Sequence, residues 1–288
     1  MPPRLKQFHK MPVNRQAQNP LHDLVGLIPA AGTANRLGLL PCSKELLPIG
    51  FQKNRKGQQL QPKAVSYYLL ERMQTARVSK VYIILRKGKW DIPTYFGDGK
   101  MLDMHIAYLL MDLPFGVPFT INQAYPFIKD ATVVFGFPDI LFEPKDAYVQ
   151  LLNKQKDSNA DLVLGLFPAE HSDKIDLVDL DNQGFVRRVY IKPSQTLLKY
   201  TWLIAVWTPV FTHFMHEFVM NRLSRATSEK DQAHCMDRRE IFVGDVIQAA
   251  IENQLNLNAV VFTEGSFIDI GTPSDLARAF QIHFGRKA

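Results

Sequence analysis

Cysteine is scarce: the 288 residues hold two, Cys42 and Cys235, far apart and without metal-like spacing. A disulfide framework is therefore excluded, and two free thiols in a reducing cytoplasm are the expectation. No apolar run reaches the roughly eighteen residues that a membrane-spanning helix needs. The opening stretch "MPPRLKQFHKMPVNRQAQNPLHD" also lacks the apolar segment of a secretory signal. Residues 1–22 read instead as a basic, weakly hydrophobic extension, expected to stay mobile until about His22. Acidic residues are in the minority, 28 against 34 Lys and Arg, for a net charge of +6. Seven of the cations (Arg4, Lys6, Lys10, Arg15, Lys53, Arg55 and Lys56) lie in the extension or in one polar loop, so the body is close to neutral. No basic stripe interleaved with aromatics appears, which argues against a nucleic-acid platform.

What is present is a body that is 46% apolar, long enough for one large core or two modest ones. Apolar runs at Leu24–Ile28, Lys80–Leu85, Ile106–Leu110, Ala131–Phe135 and Ala160–Phe167 read as strands, the first bounded by Pro29. Helical patterns stand between several of them, one starting at Pro62 and one at Pro144. Such alternation predicts an α/β fold with a mainly parallel sheet. In the later half, residues 176–191 read as a hairpin with an Asp-Asn-Gln-Gly turn, since the flanks are strands and the closing glutamate of a calcium loop is missing. "YTWLIAVWTPVF" supplies another strand, and a helix follows from Pro209 with Phe211, Phe214, Met215 and Phe218 on its inner face. Residues 224–238 are polar and aperiodic and read as a mobile loop, whose adjacent His234 and Cys235 are poor metal ligands by spacing. A helix around Val246–Asn253 and a strand at Ala259–Phe262 close the pattern.

The stretch "LIPAAGTANRLGLLPCSKELLPIG" (27–50) carries the first chemical signal. Beyond the strand, Ala30, Ala31, Gly32, Thr33 and Ala34 have almost no side-chain bulk, so backbone N–H groups can approach a phosphate. Arg36 and Lys44 add positive charge beside it. Neither a Walker triplet nor the three-glycine dinucleotide fingerprint occurs in this stretch, so the loop is of another kind. Asp139, in "FGFPDILF", and Asp269, in "FIDIGTP", each follow an apolar strand, and ligands of open parallel sheets bind outside the carboxyl ends of strands. Two carboxylates there could hold Mg²⁺, with phosphates supplying the other oxygens.

With these motifs in view, the chain resembles the sugar-phosphate nucleotidylyltransferases over roughly residues 24–282. Five segments match in the family's order: "PAAGTANRL…SKELLP", "YFGDGKMLDMHIAYLLMDLPFGV", "PDILF", "YIKPS" and "FIDIGTP". The resemblance implies a three-layer α/β/α, GT-A-like and Rossmann-like fold with a mixed, mainly parallel central sheet. The nucleotide-binding half would span about 23–145 and the sugar-binding half about 146–288. It implies Ala30, Ala31, Gly32 and Thr33 on the nucleotide, Arg36 on the triphosphate, Lys44 at the reacting phosphates, and Gly116 near the base. It further implies Asp139 and Asp269 as Mg²⁺ ligands and Lys192 on the phosphate of the sugar 1-phosphate. The departures are specific. Ala31 and Ala34 stand where the family has glycine, and the Arg-to-Lys segment is about two residues shorter. Met111 stands at the base-reading glutamine, Ile191 at a sugar-binding glutamate, and Ile204 near a sugar-site glycine.

The activity implied is Mg²⁺-dependent joining of a nucleoside triphosphate, dTTP or UTP first, to a sugar 1-phosphate in the cytoplasm. A homo-oligomer is left open, and neither a nucleic-acid partner nor a membrane span is expected. The alternatives are a transferase that uses CTP, GTP or a non-sugar phosphorylated acceptor, and a non-catalytic nucleotide-sugar sensor. The attacking phosphate is already ionised near neutral pH, so a site of Arg, Lys, Lys and two aspartates is sufficient without a histidine base.

Overall fold

The computed structural model describes residues 23–54, 57–111, 116–169, 175–194, 196–224 and 240–284. The basic extension lies outside them, as do Arg55, Lys56, His234 and Cys235. The chain opens with β1 (Leu24–Ala30) and continues through β2 (Pro48–Lys53), β3 (Leu60–Ala64), α1 (Val65–Thr75), β4 (Lys80–Arg86), α2 (Asp91–Phe96) and β5 (His105–Met111). Next come α3 (Val117–Asn122), α4 (Tyr125–Ile128), β6 (Thr132–Gly136), β7 (Ile140–Glu143), α5 (Ala147–Ser158) and β8 (Leu162–Pro168). The later part contributes β9 (Leu177–Leu180), β10 (Val186–Tyr190), β11 (Tyr200–Trp207) and α6 (Pro209–Ser224). After it follow α7 (Val243–Glu252), β12 (Leu257–Val261), β13 (Ser266–Asp269) and α8 (Pro273–Phe284).

The main sheet runs β10-β9-β11-β6-β1-β4-β5, with β8 beside β11 and β12 beside β8. Strands β6, β1, β4 and β5 are parallel, whereas β11 runs antiparallel to β6, β8 and β9, so the sheet is mixed. One apolar cluster fills the face covered by α3, α6 and α7 and includes Leu27, Phe135, Trp207, Phe211, Met215 and Ile247. The other fills the face under α1, α2 and α5, with Ile28, Leu69, Met73, Val134 and Leu151. Strands buried on both faces need apolar residues at successive positions, which is why β1, β6, β8 and β11 read as hydrophobic runs.

Three local expectations are corrected. Pro29 does not bound β1; the strand runs through it to Ala30. Pairing to β6 ends at Leu27 while pairing to β4 continues to Ala30, so near Pro29 one side of the strand has no ladder to lose. Pro62 does not open a helix but sits in β3, opposite Phe51 in a two-stranded ribbon, and α1 begins at Val65. Pro144 follows a cis peptide bond, and α5 begins three residues later at Ala147. The hairpin at 176–191 forms as β9 and β10. Among the described residues no helix is long and apolar enough to cross a membrane, and Cys42 is a free thiol.

Candidate active site

Asp139 and Asp269 are 130 positions apart, and a short ribbon makes them neighbours. β13 pairs antiparallel with β7, so Asp269 faces Ile140 and the Ile270 N–H donates to the Asp139 carbonyl at 3.0 Å. A third apolar cluster, Leu47, Ile49, Val65, Leu141, Ile268, Ile270 and Ala279, fixes this ribbon against α1 and α8. Lys44 reaches the pair from a one-turn helix, Lys44–Leu46, and its ammonium is ion-paired with Asp139. Burial pulls that ammonium down, but the Asp139 carboxylate outweighs burial and holds it above its ordinary range. Asp269 is pushed up to about 6, first by burial and then by the charge of Asp139, against the pull of Lys44 and Arg36. Arg36 lies on the backbone at Gly271, where a β-carbon would stand 2.9 Å from its Nη2 and 3.4 Å from Asp269 Oδ1. A side chain at 271 would push the guanidinium off this position.

The loop that delivers Lys44 is held at two points. Asp91, first residue of α2, accepts the Ser43 N–H at 2.6 Å and the Ser43 hydroxyl at 2.7 Å. Burial raises the Asp91 carboxyl, yet these bonds hold it below its usual range. Glu45 is buried and accepts Lys89 Nζ at 2.6 Å, which ties the loop after β4 to the loop after β1. Between these loops lies a cavity of about 300 Å³ lined by Gly32, Thr33, Lys44, Arg86, Lys87 and Lys89 among others. Ala34 stands at its rim with φ +57°, the left-handed conformation in which an alanine costs about 1 kcal/mol.

A second group belongs to the same edge of the sheet. β11 enters antiparallel to β6, and Thr201 near its start pairs with Leu177 at the start of β9, which in turn faces Tyr190 at the end of β10. Asp176, Ile191 and Lys192 therefore project from the edge where Asp139 leaves β6. Lys192 adopts φ +43°, and its ammonium lies 3.9 Å from the centre of the Phe242 ring. The Lys192 N–H and the Trp202 indole face the Asp176 carboxylate, whose pKa is pushed up to about 6 by burial above all.

The positions singled out in the sequence are thus placed unevenly. Arg36, Lys44, Asp139 and Asp269 converge; Gly32 and Thr33 line the cavity; Ala30 and Ala31 are buried below it. Met111 ends β5 and is 6% exposed, with its sulfur accepting the Thr120 hydroxyl. Gly116 opens α3 at φ +119°, where a β-carbon would stand 2.3 Å from the Ile241 carbonyl oxygen. Ile191 and Lys192 lie together, but Ile204 does not join them. It packs on the opposite face, its Cγ1 occupying the space beside Gly165. A register shift against β8 between Trp202 and Ile204 breaks the strand's alternation and turns Trp202, not Ile204, toward Asp176. Asp176, Asp91 and Arg86 had no motif to mark them, and Glu45, inside the quoted SKELLP segment, was given no role. The one signal for Asp176 was its place at the base of the hairpin that ends in Lys192.

A mixed sheet with phosphate-sized small-residue loops, cations and paired carboxylates along one edge defines a class of phosphate-handling α/β proteins. The chain belongs to the nucleotidyl transferase family, whose profile matches residues 26–283. It is 24% identical over 260 residues to the low-salt glycan biosynthesis nucleotidyltransferase Agl11 of Haloferax volcanii, covering 89% of this chain and 65% of that protein. The chain thus spans just under two thirds of that relative's length. Among solved structures, it resembles a protein assigned as a glucose-1-phosphate thymidylyltransferase from Bacillus anthracis, in complex with sucrose. The TM-score is 0.73 at 17% identity, over 92% of this chain and 97% of that one. A UDP-glucose pyrophosphorylase complexed with UDP-glucose matches with a TM-score of 0.70 at 17% identity, over 91% and 99%. At such identity these two structures establish the fold.

Proposed function

We propose that this protein joins a nucleoside triphosphate, dTTP or UTP, to a sugar 1-phosphate and releases pyrophosphate. The observation that carries the reading is the convergence of Arg36, Lys44, Asp139 and Asp269, with Lys192 on the same sheet edge. In the reaction a phosphate oxygen of the sugar 1-phosphate bonds to the α-phosphorus. The bond from that phosphorus to the bridging oxygen breaks, and pyrophosphate leaves with the electron pair. Nucleophile and electrophile are both anionic, so the protein's task is alignment and charge neutralisation. Small residues at 30–34 admit the triphosphate, Arg36 and Lys44 compensate its charge, and Lys192 holds the incoming phosphate.

The donor set fits a hard divalent cation. Asp139 and Asp269 are two mostly buried carboxylates, and burial first, then the charge of Asp139, raises Asp269, an arrangement that a cation relieves. They would hold Mg²⁺, which when bound supplies positive charge to the phosphate oxygens. Among the described residues no group of three or more His, Cys, Asp or Glu side chains gathers as a metal centre, so phosphates would complete the shell.

The test is a pyrophosphate-release assay with Mg²⁺ over a grid of nucleoside triphosphates and sugar 1-phosphates. Turnover is expected for dTTP or UTP with a hexose phosphate. Folded protein that turns over no pair, yet binds a nucleotide sugar without exchanging labelled pyrophosphate, would instead be a nucleotide-sugar sensor.

A further inference from the structure

Asp176 is a carboxylate that the proposed chemistry does not use, and it is incompletely satisfied. Its Oδ1 is buried and has no hydrogen-bond partner. Its Oδ2 lies against the first turn of α7, where a β-carbon on Gly244 would stand 2.5 Å from it and 2.4 Å from Ile191 Cδ1. Glycine at 244 is therefore what lets the carboxylate and Ile191 share this spot. The Lys192 N–H and the Trp202 indole face the group, and Asp245 adds a second negative charge nearby. Among the described residues, the cation that acts on Asp176 is Lys192, whose ammonium rests on the Phe242 ring.

An unpartnered buried carboxylate oxygen costs free energy that a ligand donor recovers. Resting on the reading above, Lys192 binds the acceptor's phosphate, and its charge is then spent on that dianion. The Asp176 Oδ1 is then left without a compensating donor. An acceptor that brings its own positive charge resolves both deficits: its phosphate meets Lys192 and its ammonium meets Asp176 Oδ1. We propose that Asp176 is the acceptor-selecting residue and that the acceptor is an amino-sugar 1-phosphate. Ile191, apolar and packed beside Asp176, leaves this single carboxylate to make the selection.

Calorimetry on the full chain tests this without requiring turnover. Glucosamine 1-phosphate and glucose 1-phosphate are titrated into wild type and Asp176→Asn at pH 7.5, with Mg²⁺–UTP and Mg²⁺–dTTP titrated in parallel. Wild type is expected to bind glucosamine 1-phosphate about tenfold more tightly, the worth of one charge-assisted hydrogen bond. Asp176→Asn should abolish that preference and leave nucleotide binding intact, with a melting temperature at pH 7.5 no lower than that of wild type, since a carboxyl raised by burial is replaced by a neutral group. Equal affinity for the two acceptors in wild type, undetectable binding of both, or a preference that survives in Asp176→Asn overturns the proposal. Asp176 would then be a structural carboxylate at the start of α7. If neither nucleotide binds, the nucleotidyl-transfer reading falls as well; if one binds but the preference is absent, only the assignment of Asp176 falls.

Discussion

Replacing each of the two converging aspartates by asparagine should have opposite effects on stability. Asp269 has its carboxyl moved from the usual 3.8 to about 6, chiefly by burial and then by Asp139. A raised carboxyl pKa means the folded state holds its proton longer than the unfolded chain does. Stability is therefore lost as pH rises from about 4 to 6, and the full penalty, about 3 kcal/mol, applies above that window. Asp269→Asn removes the penalty. For a domain of this size it should raise the melting temperature by several degrees at pH 7.5, with a much smaller gain at pH 4.5. Asp139→Asn does the reverse. Its carboxylate is the partner of Lys44, the two side chains being 13% and 16% exposed, and removing it leaves a largely buried ammonium unpaired. The cost should be about 1–3 kcal/mol, partly returned because Asp269 loses its repelling neighbour. Thermal melts of both variants in metal-free buffer from pH 4.5 to 8 decide the matter. Turnover should fall by orders of magnitude in both, since metal stabilisation of transition-state charge is worth several kcal/mol. A pH-independent effect of Asp269→Asn, or an Asp139→Asn variant more stable than Asp269→Asn, would refute the electrostatic account.

Arg86→Ala combined with Lys87→Ala removes two cations from the cavity between the β1 and β4 loops. The expected result is about a tenfold rise in KM for the nucleotide with kcat nearly unchanged, shrinking at high salt. Ile191→Glu would set a second carboxylate beside Asp176. Both carboxyls should then titrate higher, and melting temperature should drop above pH 6 and recover as pH is lowered. Gly116→Ala brings a β-carbon to 2.3 Å from the Ile241 carbonyl at a φ of +119°, and urea unfolding should show a loss of about 2 kcal/mol or more at an unchanged m-value.

The central strands of this fold were legible because burial on both faces leaves no choice but continuous apolar runs; β4, β6 and β8 lie within a residue or two of the runs that predict them, and so does the more exposed edge strand β5. The prolines were less informative. Pro62 and Pro144 both precede helices, but each is spent on an element before the helix, an edge strand in one case and a cis turn in the other. Proline fixes φ and removes a donor, conditions that an edge strand and a turn meet as well as a first helical turn. Only the partner strand decides among them, and the partner is not a local property.

The same distinction divides the site. Arg36, Lys44, Asp139 and Asp269 could be picked out because a phosphate demands small residues, fixed charge and strand-end carboxylates, and those demands leave a pattern in consecutive residues. The proposed acceptor pocket makes no such demand. Asp176, Lys192, Trp202 and Gly244 meet through a hairpin, a bulge and a helix start, and each is ordinary in its own segment. The bulge in β11 is the sharpest case. Alternation along "YTWLIAVW" gives Trp202 and Ile204 the same face, and one shifted residue sends them to opposite faces. Ile204, which the resemblance sets near a sugar-site glycine, therefore packs in the core. If acceptor choice depends on such irregularities, it can change within this fold while the phosphate machinery stays fixed. On that view, relatives that differ in acceptor should differ first at the positions equivalent to 176, 191 and 202, and only rarely at 36, 44, 139 or 269.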